Sequence, residues 1–228
     1  MSKTSFVTGG AKRLGKIITE TLITKSDHII VHYNQSEPDA IQFQNKSKQN
    51  KCNVHLLKYD FNESFEIQDF IDQLYTFTDQ IDIVFLNASQ YYQTPVNQCT
   101  QTDWDTLMRI NSKIPFFIAK EIALRNKNLC RIIFISDQYG RHPQKHFPIY
   151  SLTKSLINSI VNVLSKELEG KAIVGAIAPG GILNANFTKP SPLAKEIQPS
   201  LDRITDFQKA VQYFIDAPDP INGEILKV

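Results

Sequence analysis

Seven short apolar or β-branched runs recur along the chain: TSFVTG, HIIVHY, NVHLLKY, IDIVFLN, CRIIFIS, AIVGAIAPG and EILKV. Between them lie longer stretches whose apolar residues fall at helical spacing, at 14–23, 65–77, 104–124 and 150–168. Strands that alternate with helices return by crossovers, which makes the sheet parallel and covers both its faces. Several runs are apolar throughout, as strands buried from both sides must be. The expected architecture is therefore α/β and doubly wound, with a seven-stranded parallel sheet and helices on both faces. At 228 residues it fits one domain, 1–228, and no repeat, low-complexity tract or linker interrupts the first 178. The stretch at about 179–205 differs, being proline-rich and weakly periodic at its start. A long loop directly after a strand is usually functional, and a substrate loop is expected there.

Composition removes several classes of function. The formal net charge is +2 and no dense Lys/Arg stripe occurs, so nucleic acid is not an expected partner. The segment NKSKQNK (45–51) reads as a solvated helix end. Cys52, Cys99 and Cys130 have no paired spacing and suit reduced thiols. No apolar run is long enough to span a membrane and the start lacks a signal-like stretch, so a cytoplasmic protein with no membrane partner is expected. His142 and His146 are four apart, but Pro143 lies between them and no third ligand follows at a suitable spacing, so no metal is expected.

The first strand runs into TGGAKRLG, which places Gly9, Gly10 and Gly15 between a strand and a helix. Glycines there admit a pyrophosphate close to the backbone, and the helix N-terminus supplies free N–H groups. The fold is thus expected to be Rossmann-type. The pattern is T-G-G-x-x-R-x-G, with Arg13 where a glycine could be expected. After the second strand stand Asn34, Gln35 and Ser36, where an NAD site commonly has an acid for the ribose 2′-hydroxyl. Neutral donors together with Arg13 tolerate a 2′-phosphate, so NADPH is favoured over NADH.

Tyr150 and Lys154 are four apart at the start of a helical pattern and share one face. A neighbouring ammonium would lower the phenol's pKa and make it a usable proton donor in a reduction. With the phosphate loop upstream, the chain resembles a short-chain dehydrogenase/reductase over nearly its full length. The resemblance rests on TGGAKRLG, YDF (59–61), NAS (87–89), Asn111, YSLTK (150–154) and PGG (179–181). It implies that the cofactor lies against Gly9, Arg13, Leu14 and Gly15, then Asn34, Gln35 and Ser36. Asp60, beside Phe61, would bind the adenine amino group. Asn87, followed by Ala88 and Ser89, would hold the fourth strand beside the cofactor, and Pro179, Gly180 and Ile182 would also bind the cofactor. Asn111 would position a water near Lys154, and Lys154 would bind the nicotinamide ribose. The family also implies a homo-oligomer, a tetramer or dimer.

Most members of that superfamily carry serine thirteen residues before the tyrosine; here the position is Asp137. An ionised carboxylate has no proton to give a ketone oxygen and repels a developing alkoxide. It is more useful beside a C=N group, on a proton path to nitrogen with Tyr150. The alternative is that Ser136 does the serine's work while Asp137 caps a turn. Aspartate here, arginine in the glycine loop and NASQY (87–91) are similar to the pteridine reductase and dihydromonapterin reductase branch. That resemblance implies a pterin substrate stacked on Tyr91 and touched by Arg13, Ser89, Asp137 and Tyr150, with Tyr92 the alternative stacking residue. The expected reaction is NADPH-dependent reduction of a 7,8-dihydropterin, with hydride to C6 and a proton to N5. The rivals are a carbonyl reductase acting on a 3-oxoacyl thioester, sugar or polyol, and a non-catalytic NADPH-binding regulator.

Overall fold

The strands expected from the sequence all form. In the computed structural model, which describes residues 2–61, 66–181, 201–216 and 221–228, they are β1 (Thr4–Thr8), β2 (His28–Tyr33), β3 (Asn53–Lys58), β4 (Ile83–Leu86), β5 (Cys130–Ile135), β6 (Ala172–Ala178) and β7 (Ile225–Lys227). They form one sheet in the order β3-β2-β1-β4-β5-β6-β7, and every pairing is parallel. The helices are α1 (Arg13–Leu22), α2 (Glu37–Ser47), α3 (Ile67–Leu74), α4 (Gln101–Met108), α5 (Ile114–Arg125), α6 (Pro148–Glu167) and α7 (Leu201–Asp216).

Successive strand residues point to opposite faces, and the core divides accordingly. Phe6, Ile30, Val84, Ile132 and Val174 pack with residues of α3, α5 and α6. Val7, Ile29, Phe85, Ile133 and Ile173 pack with α1, α2 and α7 on the other face. This is why the central strands β1, β4, β5 and β6 read as largely apolar runs: they are buried on both faces, whereas the edge strands β3 and β7 are partly exposed.

Two boundaries differ from the sequence reading. The stretch 104–124 is not one uniform helix, because a π-helical turn at Arg109–Lys113 separates α4 from α5. The N–H of Ile114 donates to the Arg109 carbonyl, and Pro115 follows with no N–H to offer a carbonyl of the preceding turn. The wider turn carries Asn111. The loop expected at about 179–205 ends earlier, since α7 begins at Leu201; positions 182–200 lie outside the described residues.

Candidate active site

Because every strand is parallel, all their C-terminal ends meet along one edge. Chain order reverses there between β1 and β4, and a cleft of about 620 Å³ opens along that edge. Residues from the ends of β1 to β6 line it.

At its centre the β1–α1 turn approaches very closely. A Cβ on Gly15 would lie 2.0 Å from the Gly9 carbonyl oxygen, so α1 can start this near β1 only without a side chain there. Gly9, Arg13, Leu14 and Gly15 all line the cleft. Arg13 has φ of 53°, in the left-handed region that glycine tolerates and other residues avoid. The arginine thus occupies a glycine conformation, at a cost of about 1–3 kcal/mol, while lining the cleft. Lys12 lines it too and pairs with Asp39 of α2 at 3.0 Å.

Asn34, Gln35 and Ser36 after β2, and Asp60 and Phe61 after β3, form one end of the cleft. His32, which the sequence reading did not single out, joins them. It is 3% exposed, accepts from the Gly9 N–H at Nδ1 (3.2 Å), and its Nε2 lies 3.1 Å from the Tyr59 carbonyl. Burial pushes its pKa down to about 4, against the opposing pull of the Tyr59 carbonyl and the Asp60 charge. In the unfolded chain the ring titrates near 6.5. The unfolded state therefore takes up this proton first as pH falls. The contribution of neutral His32 is fully present above pH 6.5 and is lost progressively toward pH 4, about 3 kcal/mol in all. Urea unfolding at pH 7 and at pH 4.5 should show wild type losing more stability than His32→Phe. An unchanged gap between the two proteins would refute this.

Asn87 ties β4 to the glycine turn: its Nδ2 donates to the Thr8 and Gly9 carbonyls, both at 3.0 Å. Ala88 follows and donates its N–H to the Thr8 hydroxyl at 3.0 Å. The Ser89 hydroxyl donates to Asn111 Oδ1 (3.1 Å), as does the Gln90 N–H (2.8 Å). Asn111 Nδ2 in turn donates to the Gln90 carbonyl and to the Thr153 hydroxyl. Asn111 is 1% exposed and sits behind the wall. Its side-chain amide is committed to the loop after β4 and to α6.

The reactive end is built by β5 and α6. Asp137 follows β5, and its Oδ2 accepts from the Tyr150 hydroxyl at 2.9 Å. Its Oδ1 accepts from the Tyr139 N–H at 2.9 Å, so the same carboxylate also caps the short 3₁₀ turn Gln138–Gly140. Ser136 turns the other way, with its hydroxyl donating to Asn158 at 2.7 Å. Of the two side chains it is the Asp137 carboxylate that faces Tyr150, and it caps the turn as well. A Cβ on Gly140 would lie 2.7 Å from the Lys154 backbone carbon, so the capped turn packs directly on α6.

Lys154 Nζ donates to the Ile135 carbonyl at 2.9 Å and lies 5.5 Å from the centre of the Tyr150 ring. Burial lowers its pKa to about 8, partly offset by Asp137. The Tyr150 phenol is pushed well above its ordinary value, by burial first and then by the Asp137 charge. Burial and the Asp137 charge thus both disfavour the phenolate in this arrangement, while the Lys154 ammonium is directed at a backbone carbonyl. Burial also raises the Asp137 carboxyl, against the Tyr139 N–H, the Lys154 ammonium and the Tyr150 hydroxyl.

Tyr91 lines the cleft, stacks on Phe147 (4.6 Å, 6°) and meets Tyr150 edge-on at 4.7 Å. Its hydroxyl donates to Gln144 at 3.0 Å. Tyr92 is 2% exposed and packs with Leu107 and Ile149, so of the two it is Tyr91 that faces the cleft. Pro179 and Gly180 complete the wall beside Tyr139, and Ile182 lies outside the described residues. Tyr139, Lys12 and His32 were not anticipated. The signal for His32 was a polar residue inside an apolar strand; Tyr139 carried none. Among the described residues no three His, Cys, Asp or Glu side chains gather as metal ligands do, and no helix is long and apolar enough to cross a membrane.

A parallel sheet with a glycine turn at its switch point and a Tyr/Lys pair beside it defines a class of nucleotide-dependent oxidoreductases. A sequence model of the short chain dehydrogenase family matches residues 3–195, and the chain belongs to that family. Among its relatives is the uncharacterized oxidoreductase YmfI of Bacillus subtilis, 27% identical over 202 residues, covering 86% of this chain and 81% of that one. Versicolorin reductase 1 of Dothistroma septosporum is 28% identical over 210 residues, covering 90% and 78%. FolM alternative dihydrofolate reductase 1 of Brucella suis, solved in complex with NADP, superposes with a TM-score of 0.83 at 23% identity, covering 99% and 92%.

Proposed function

We propose that this protein is an NADPH-dependent reductase of 7,8-dihydropterins, of the dihydromonapterin or dihydrobiopterin type. The cleft fits the dinucleotide: a side chain on Gly15 would fill the space beside Gly9, and Arg13, Asn34, Gln35 and Ser36 offer neutral and cationic donors with no acid among them. The FolM structure at 0.83 TM-score contains NADP, which agrees with this assignment. The observation that carries the substrate class is the Asp137 carboxylate hydrogen-bonded to Tyr150, beside the aromatic wall of Tyr91.

NADPH held along Gly9, Arg13, Asn34, Gln35 and Ser36 would supply the hydride that C6 of the substrate takes up. The Tyr150 hydroxyl gives the proton to N5, completing reduction of the C=N bond. A tyrosinate next to an ionised carboxylate is strongly disfavoured, so Tyr150 releases its proton most readily when Asp137 carries one. A carboxyl with a raised pKa is suited to hold that second proton and pass it to Tyr150. Lys154 fixes the end of β5 through the Ile135 carbonyl and presents its ammonium to the ribose. Tyr91 stacks on the flat heterocycle, and Arg13 holds its carbonyl.

A second reading, reduction of a carbonyl group, is favoured by the same raised carboxyl, which when protonated could donate to an oxygen. Following NADPH consumption with dihydromonapterin, dihydrobiopterin, dihydrofolate and a 3-oxoacyl thioester separates the two. Turnover is expected with the dihydropterins; turnover with the thioester alone would sink the pterin reading.

A further inference from the structure

His32 is the penultimate residue of β2 and the one ionisable side chain buried on that strand's inner face with Ile30. Its ring is sandwiched by aromatic contacts: Phe61 stacks on it at 4.3 Å and 15°, and Phe70 meets it edge-on at 5.8 Å. Both ring nitrogens are engaged. Since the Tyr59 carbonyl can only accept, Nε2 carries the proton and donates there, which leaves Nδ1 as the acceptor for the Gly9 N–H. The next amide, Gly10 N–H, donates to the His32 backbone carbonyl at 3.1 Å. The first two glycine amides of the phosphate turn are thus both held by this one residue, through its side chain and its backbone.

The same ring grips the segment leading into Asp60 and Phe61, which line the cleft opposite. An apolar residue of the same shape would fill the space and keep the stack on Phe61, but would take the acceptor away from the half-buried Gly9 N–H. Packing alone therefore does not account for a histidine here.

We propose that His32 is a positioning residue of the nucleotide site, setting the phosphate turn at Gly9 and the Tyr59–Phe61 wall at the spacing the adenosine end of the cofactor requires. This rests on the reading that the cleft binds NADPH. Two features distinguish the role from a structural one: it acts on the cofactor and not on the hydride step, and it depends on an acceptor at the Nδ1 position.

The test titrates NADPH into wild type, His32→Phe, His32→Asn and His32→Gln, following nicotinamide fluorescence, with KM for NADPH and kcat measured in parallel. His32→Phe keeps the ring stack and loses both hydrogen bonds. Asparagine places an oxygen near the Nδ1 position, whereas glutamine reaches toward Nε2. The Kd and KM for NADPH should rise about tenfold or more in His32→Phe, with kcat at saturating NADPH within about twofold of wild type. His32→Asn should recover most of the loss and His32→Gln little of it. Circular dichroism and thermal melting establish that each variant folds; if His32→Phe does not, the Asn/Gln pair alone decides. Equal affinity in wild type and variants, or equal losses with Asn and Gln, overturns the proposal. A wild-type protein that fails to bind NADPH at all overturns instead the cofactor assignment beneath it.

Discussion

Replacing Tyr150 with phenylalanine should lower kcat for dihydropterin reduction by about 10²–10⁴-fold, the range for loss of a positioned acid–base group. NADPH affinity should change little. The ring is 6% exposed at the start of α6, and its hydroxyl donates to Asp137 at 2.9 Å. Phenylalanine keeps the edge-on contact with Tyr91 and removes only the proton donor. It also withdraws one of the hydrogen bonds that hold the Asp137 carboxyl down, so that pKa should rise further. Steady-state rates with saturating NADPH and pterin, alongside a fluorescence titration of NADPH, measure both parts. A kcat within tenfold of wild type would remove Tyr150 from the proton path.

The second large effect is a change of substrate. Asp137→Ser should reduce dihydropterin turnover by about a hundredfold while raising reduction of a simple ketone by about tenfold or more. Serine gives a carbonyl oxygen a neutral donor at every pH, and removes a group whose ionised form repels a developing alkoxide. The pH profile adds an independent readout. Burial raises the Asp137 carboxyl from its ordinary value, and on the proposed mechanism its protonated form supports proton release from Tyr150. Wild-type turnover should therefore be high below that raised pKa and decline as pH rises through it, whereas the serine variant should lack this step. Intact dihydropterin turnover in Asp137→Ser, together with improved ketone reduction, would end the pterin reading.

The fold was largely legible because its signals are local. Apolar runs at the length of a strand, alternating with helical periodicity, allow few arrangements other than a parallel sheet covered on both faces, and that is what β1 to β7 build. The glycine turn was legible for a similar reason: Gly9 and Gly15 are six residues apart, and only that spacing lets α1 start against β1. The helix at 104–124 was less legible, since a π turn leaves no mark on apolar spacing beyond Pro115.

At the active site the same distinction applies. The sequence by itself determined the residue set: Arg13 in a glycine position, Asn87, Tyr150 and Lys154 on one helical face, and a carboxylate at 137. Only the tertiary structure decided what each side chain does with its neighbours. Ser136 and Asp137 are adjacent in sequence, yet one turns to Asn158 and the other to Tyr150, because successive residues of the extended chain just past β5 point to opposite sides and Asp137 caps a 3₁₀ turn that packs on α6. Lys154 is one helical turn from Tyr150 but donates to Ile135, which raises the question of its partner beyond any spacing rule. His32 became visible only when β1, β2 and β3 were laid side by side, bringing Gly9 and Tyr59 to its two nitrogens. The physical reason is common to all three. Periodicity specifies the face a side chain occupies, whereas hydrogen bonds and pKa shifts depend on groups that chain folding brings from distant positions.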